Sequence, residues 1–264
     1  MVTLACGCPG GKGYAPPWGP KEPTAAQEAA KLDAAGKAIT SFRAESVMDY
    51  WLGKDRVKGT VMVMGKPGAF VRMNALSPAG DSVMADLACN GTDFVLVDFQ
   101  NNCVLTGPCD QDSIAQFLHV PLSPDDFLHL ATGTTPIVAG PDGKVGWDAD
   151  AGHERLELTK GAVTQSIVID GRDGHSDVLS SHVAGGGADW TIENKDFAGV
   201  EGTAFRIPGK SRFQAAGQKA DLLVEWKDVK LNVDLPPSKF QLTPPDGLPT
   251  CGQQPSMQPV PPRK

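Results

Sequence analysis

Residues 56–80 read RVKGTVMVMGKPGAFVRMNALSPAG. Val57 to Met64 is β-branched and methionine-rich, Gly65-Lys66-Pro67-Gly68 is a turn, and in Ala69–Leu76 the apolar Val71, Met73 and Ala75 alternate with Arg72 and Asn74. Alternation of period two between turn residues marks half-buried antiparallel strands. Upstream, Phe42–Leu52 alternates more loosely. Downstream, Ser77-Pro78-Ala79-Gly80 turns into Ser82–Ala88, Asn90-Gly91 signals a hairpin into Phe94–Phe99, and Gln100-Asn101-Asn102 turns into Cys103–Thr106. The first half of the chain therefore reads as a meander of six antiparallel strands.

A helix precedes this meander, and two more separate it from a second run of strands. Thr24 is a good N-cap, Gln27 completes a capping box, and the Ala-, Glu- and Lys-rich run reaches Ala38, with Leu32 and Ile39 on a shallow apolar face. Asp110–Val120 places Ile114, Phe117 and Leu118 on one side. Ser123-Pro124 opens the next helix, with Phe127, Leu128 and Leu130 apolar, and Gly133 ends it. Strands resume at His153–Thr159, Val163–Asp170, Ser176–Val183, Trp190–Phe197, Thr203–Ile207 and Asp221–Val233. About twelve strands with two helical breaks favour a mainly β (α+β) fold. The expected form is one strongly curved antiparallel sheet, an incomplete β-barrel with a helical lid. Residues 24–248 make up this domain, 1–23 a Gly/Pro-rich linker, and 249–264 a Pro/Gln-rich tail expected to be loose apart from Cys251.

Composition narrows the function. The net charge of −7 and pI near 5.2, with no basic run, argue against a nucleic-acid partner. No stretch approaches the ~20 apolar residues that cross a bilayer. Gly-x-Ser-x-Gly, a phosphate loop and a Gly-x-Gly-x-x-Gly after a strand are all absent. The five histidines, His119, His129, His153, His175 and His182, include no His-x-x-x-His pair. Asp173, His175 and Asp177 could hold a cation weakly, but a polar hairpin loop is the better reading. The expectation is a non-enzymatic protein with no cofactor and no metal.

The start of the chain, Met1-Val2-Thr3-Leu4-Ala5-Cys6-Gly7-Cys8, resembles the stub of a lipoprotein signal, with Cys8 (or Cys6) as the lipidated residue. The charged and apolar parts of a signal peptide are missing, so a start upstream of Met1 is expected. Processing at Cys8 leaves Cys89, Cys103, Cys109 and Cys251, an even number suited to disulfides in an oxidising envelope. With two-residue and three-residue turns at the hairpins, Cys89 lies opposite Thr92, Phe99 lies opposite Cys103, and Cys109 falls near Asp93. Cys89 and Cys103 then sit at opposite strand ends, roughly 23 Å apart at ~3.3 Å per residue, beyond the ~7 Å limit for bridged Cα atoms. Cys89–Cys109 is the preferred pair, with Cys103 and Cys251 as further candidates. Metal binding is the rival, but no Cys-x-x-Cys occurs among these four.

Three segments resemble the LolA/LolB superfamily of periplasmic lipoprotein carriers and outer-membrane receptors. They are residues 56–80 with LACNGTDFVLVDFQNNCVLTG (87–107), FLHVPLSPDDFLHLATGTTP (117–136), and LLVEWKDVKLNVDLPPSKFQLTPPDG (222–247). The resemblance implies a half-barrel lidded by helices that buries acyl chains, lipids or lipidated proteins. It also implies an outer-membrane lipoprotein facing the periplasm. Methionine clustering fits an adaptable cavity, and the expected sheet-side lining is Met48, Val61, Met62, Val63, Met64, Val71, Met73, Phe94 and Leu96. Phe117, Phe127 and Leu130 are its expected roof. Plain core packing is the competing reading of the same residues. The sequence departs from the family at Gly65–Gly68, too short and polar for an exposed membrane-touching loop. The alternative function is an envelope-stress sensor or scaffold binding a protein partner.

Overall fold

The structure is a computed structural model. It describes residues 13–52, 55–118, 120–215, 217 and 220–252, without the side chains of Leu52, Asp55, Gln116 and Phe117. Chain order begins with α1 (Ala25–Lys37), β1 (Phe42–Leu52), β2 (Asp55–Lys66), β3 (Phe70–Leu76), β4 (Val83–Asn90), β5 (Asp93–Asp98) and β6 (Cys103–Pro108). Helices α2 (Gln111–Leu118) and α3 (Pro124–Thr132) come next. A second meander comprises β7 (Asp142–Asp148), β8 (His153–Lys160), β9 (Val163–Asp170), β10 (Asp177–Gly185) and β11 (Ala188–Lys195). A short pair, β12 (Ala198–Gly199) and β13 (Arg206–Ile207), leads to β14 (Lys210–Ala215) and β15 (Ala220–Leu231).

Thirteen strands form one antiparallel sheet in the order β6-β5-β4-β3-β2-β1-β15-β14-β11-β10-β9-β8-β7. It is strongly curved and not closed into a barrel. Its outermost strands, β6 and β7, are consecutive in the chain, so α2 and α3 carry it from one edge of the sheet to the other. Two apolar clusters fill the concave side. One lies under α2 and α3, around Phe42, Met73, Leu87 and Phe213, and the other under α1, where Ala25, Ala29 and Leu32 meet Leu156, Leu158 and Ile167.

Local signals place the helices. Thr24 Oγ1 accepts from Gln27 N at 3.2 Å while Thr24 N donates to Gln27 Oε1 at 2.9 Å, a reciprocal cap. Ser123 and Asp126 repeat the arrangement on α3, Pro124 fits the first turn, and Gly133 ends the helix in the left-handed region at φ 68°.

Three strands, β7, β14 and the two-residue β12, occupy segments where none was expected, and the Thr203–Ile207 strand shrinks to Arg206–Ile207. In β7 the sequence DGKVGWD hides its character behind glycines, yet Gly143 is required there. A Cβ at that position would collide with the carbonyl of Glu157 on β8. In β14 only Ser211, Phe213 and Ala215 turn inward, too short an alternation to stand out.

The hairpin registers differ from those expected. Cys89 pairs with Phe94 rather than Thr92, because Asn90 Oδ1 accepts from Thr92 N and Asp93 N at 3.0 and 2.8 Å and lengthens the loop. A two-residue slip leaves every side chain on its face. Cys103 pairs with Asp98 rather than Phe99, since Asp98 Oδ1 accepts from Gln100 N and Asn101 N, both at 2.9 Å.

The ends of the domain also differ from free linkers. Tyr14 N donates to Ala149 O at 2.7 Å, Trp147 Nε1 donates to Tyr14 O at 2.8 Å, and Trp18 meets Trp147 edge-on at 5.6 Å, so residues 14–18 lie against the end of β7. At the other edge, Val104 N donates to Pro249 O at 2.9 Å and Cys251 N to Val104 O at 3.0 Å, laying residues 249–251 along β6. The Cys103–Cys251 disulfide fixes this segment, with Cα atoms 4.9 Å apart. Cys89 and Cys109 form the second disulfide across β5, with Cα atoms 5.6 Å apart. Its geometry depends on the chain after Gly107-Pro108 crossing over, where Cys109 N donates to Thr92 O at 2.8 Å.

Candidate functional site: a cavity at the open end of the first meander

Period two sets which side chains enter the concavity. From β1 these are Phe42, Ala44, Ser46 and Met48; from β2, Val61 and Val63; from β3, Val71 and Met73; from β4, Leu87 and Cys89; from β5, Phe94 and Leu96. The same rule expels Met62 and Met64. They alternate with Val61 and Val63 and sit opposite Asn74 and Arg72 on the outer face, partly exposed. A consecutive Val-Met-Val-Met run cannot send four side chains to one face, so these two methionines are not part of the cavity.

Helices α2 and α3 fill one end of the concavity. Ile114, Leu118, Phe127 and Leu130 are fully buried there. Phe127 meets Trp226 edge-on at 6.1 Å; Trp226 Nε1 donates to Ser211 Oγ and Ser211 Oγ to Leu130 O, each at 3.0 Å. Asp125 Oδ1 accepts from Gly68 N and Ala69 N at 3.1 Å, holding α3 over the β2–β3 turn. Val63, Val71, Met73, Phe94, Phe127 and Leu130 are therefore packed core beneath a fastened roof. The Phe117 side chain lies outside the described residues, as do Cys6 and Cys8.

The opposite end of the same strands is hollow. A cavity of about 460 Å³ is lined by Met48, Tyr50, Gly59, Val61, Ala75, Ala85 and Leu96. Leu76, Pro78 and Met84 border it, with Lys58, Thr60, Asp98, Gln100 and Asn101 on its polar rim. Its cause is compositional. Val61 pairs with Ala75 and Ala75 with Ala85, so this inward row carries two alanines beside Gly59, where deeper rows carry Val, Met and Leu. A Cβ built on Gly59 meets nothing within 4 Å. Burial pushes the Tyr50 phenol up from its ordinary range, so it stays uncharged in the cavity. Of the expected lining, Met48, Val61 and Leu96 are brought together here. Tyr50, Gly59, Ala75 and Ala85 were missed, and their signal is small residues at inward positions of adjacent strands.

Other concavities carry less. A groove of about 290 Å³ on the convex face lies between Arg56, bidentate on Asp49 at 2.6 Å, and Arg212, bidentate on Asp221 at 2.8 and 2.6 Å. Its named guanidinium groups are already engaged. Around the GRDGHSD loop, Asp177 is held by Arg206 Nε at 3.0 Å. No group of three His, Cys, Asp or Glu residues placed to hold a metal occurs among the described residues. Among the same residues no helix is long and apolar enough to cross a membrane.

No family model and no curated protein matches this sequence. Solved structures do resemble it. A DUF1329 family protein from Desulfovibrio piger superposes with a TM-score of 0.54 at 13% identity, covering 84% of this chain and 98% of that one. A LolA superfamily protein from Nitrosomonas europaea gives 0.52 at 13% identity, covering 81% and 97%. A domain from Vibrio parahaemolyticus assigned to outer membrane lipoprotein sorting gives 0.52 at 11% identity, again covering 81% and 97%. The chain has the LolA/LolB-like fold, an open half-barrel.

Proposed function

We propose that this protein is a lipid-anchored envelope protein of the bacterial outer membrane that buries acyl chains of lipids or lipidated proteins in the cavity between β1 and β5. The anchor is Cys8 or Cys6. No covalent chemistry is involved; binding and release are its whole activity. The observation that supports this best is the open, largely apolar cavity of about 460 Å³ with free space above Gly59. Ligand sites of roughly 300–1,000 Å³ with an apolar lining and a few polar rim groups are the usual form of a small-molecule site. Each methylene moved from water into such a lining contributes about 0.8 kcal/mol.

Native mass spectrometry of the protein purified from cells, with lipid extraction, tests the reading. A co-purifying acyl compound is expected. Gly59→Phe places a ring in the open space from an ordinary backbone conformation and should abolish binding with the melting temperature kept. Met62→Gln, on the outer face, should leave binding unchanged. A ligand-free protein that also ignores offered acyl compounds would sink the proposal and favour a protein-binding scaffold.

A further inference from the structure

The groove of about 290 Å³ on the convex face is built by the outward residues of neighbouring strands β2, β1, β15, β14 and β11. Asp49, Leu223, Arg212 and Glu193 stand opposite one another in one row across β1, β15, β14 and β11. Leu223 is the floor, a short aliphatic side chain between longer polar ones. Trp51 lies two residues beyond Asp49 on one side of this row. Lys210 and Lys195 lie two residues beyond Arg212 and Glu193 on the other. From β1 to β11 the groove spans roughly 14 Å at ~4.8 Å per strand spacing.

The ion pairs that line it decide what it can hold. Arg56 Nε and Nη2 donate to the two carboxylate oxygens of Asp49, and Arg212 Nε and Nη2 donate to those of Asp221. Each guanidinium is neutralised and held flat, yet keeps its Nη1 donors, while the carboxylates keep spare lone pairs. A pair fixed in this way is a poor site for a free anion. It suits a hydroxyl group, which donates and accepts at once. Trp51 is 47% exposed and makes no ring contact among the described residues. An open indole beside alternating donors and acceptors matches a sugar ring, with its C–H faces and its rim of hydroxyls.

The far end differs. Lys195 and Lys210 are directly opposed, and like charges in that position are unfavourable. Lys210 reaches Asp196 at 3.6 Å, whereas no ion pair of Lys195 occurs among the described residues. A negative group on the ligand relieves that repulsion.

We propose that the convex groove binds a short oligosaccharide bearing carboxylates, with one ring on Trp51, hydroxyls on the two Arg–Asp pairs and a carboxylate on Lys195. The site goes beyond the acyl-binding reading and does not depend on it. Outward Asp49 and Trp51 alternate with inward Met48 and Tyr50, so groove and cavity lie on opposite faces of the sheet.

The labelled full chain, applied to an array of short galacturonate-, glucuronate- and muramate-containing oligosaccharides and of neutral gluco-, galacto- and chito-oligosaccharides, tests this. Calorimetric titration of the best ligand follows. A carboxylated oligosaccharide should bind, at least tenfold tighter than the same chain with its carboxylates reduced to alcohols. Trp51→Ala should weaken it at least tenfold, and Lys195→Gln should bring it down to the level of the reduced chain. Both side chains are exposed, so both variants should keep the wild-type melting temperature. Silence of the whole array, or undiminished binding by Trp51→Ala, overturns the proposal. Equal binding of an oligo-aspartate peptide overturns the saccharide assignment in favour of a general anion surface. Equal affinity for the carboxylated and reduced chains overturns the role given to Lys195.

Discussion

Glu154 of β8 is only 1% exposed and lies beneath α1, facing Glu28, with Lys31 at 3.1 Å from Glu28 on the helix side. Burial and the Glu28 charge together raise its pKa from 4.5 to about 7, against the lowering pull of Lys31. An acid whose pKa rises on folding is protonated in the folded chain while the unfolded chain has already lost its proton. Its contribution to stability is thus fully present below about pH 4.5 and is lost as pH rises to about 7. Melting temperature should fall across that window, by the equivalent of about 1–3 kcal/mol, and Glu154→Gln should flatten the slope. A wild-type profile without that slope, measured between pH 5 and 8, would refute the assignment. No sequence signal marks this carboxyl, because Glu154 reads as an ordinary alternating position until α1 is laid over it. The methionines err in the other direction: their clustering was visible, but period two sends Met62 and Met64 outward.

Among the elements, α3 carries the most local information. Its start and stop were legible because Ser123, Pro124 and Gly133 act within one turn of their own positions. Ser123→Ala removes the hydroxyl half of the reciprocal cap, leaving only Ser123 N to donate to Asp126 Oδ2, and should cost about 1 kcal/mol, read from a denaturation midpoint with unchanged slope. Part of that loss should also appear as faster amide exchange in α3, since the helix is held over the β2–β3 turn by Asp125. The strands of the first meander were legible for a similar reason, their turns being rich in Gly, Pro and Asn. Strands β7 and β14 were not: Gly143 of β7 makes sense only against the Glu157 carbonyl of β8, and in β14 only Ser211, Phe213 and Ala215 turn inward, too short an alternation to stand out. The cavity was hidden likewise. Gly59, Ala75 and Ala85 are unremarkable one at a time and become a hollow only when the register aligns them.

For the whole molecule, the two sheet edges decide how it behaves in solution. Edge β6 is covered by residues 249–251 and fixed by Cys103–Cys251, which closes a loop with a sequence separation of 148. In the chain-entropy treatment a closure of that length contributes about 5 kcal/mol. The Cys103→Ala, Cys251→Ala double variant should therefore lose several kcal/mol in denaturant and, with its β6 edge freed, self-associate on light-scattering analysis. A variant that stays monomeric would show that the covering segment holds without its bridge. The curved open sheet with a helical lid was anticipated from strand count and helical breaks; that the helices cross between its edges was not. The closure of its ends by residues 14–18 and 249–251 was not, because Pro/Gly-rich composition describes only a chain's own preferences and is blind to a waiting edge.

The seating of Tyr14 and Trp18 against β7 has a mechanical consequence. A tether attached upstream hands its tension to Trp147, Ala149 and then α1, at the sheet edge remote in strand order from β1–β5. Under the anchor proposed above, a pull would enter at this edge of the sheet and not at the strands around the hollow.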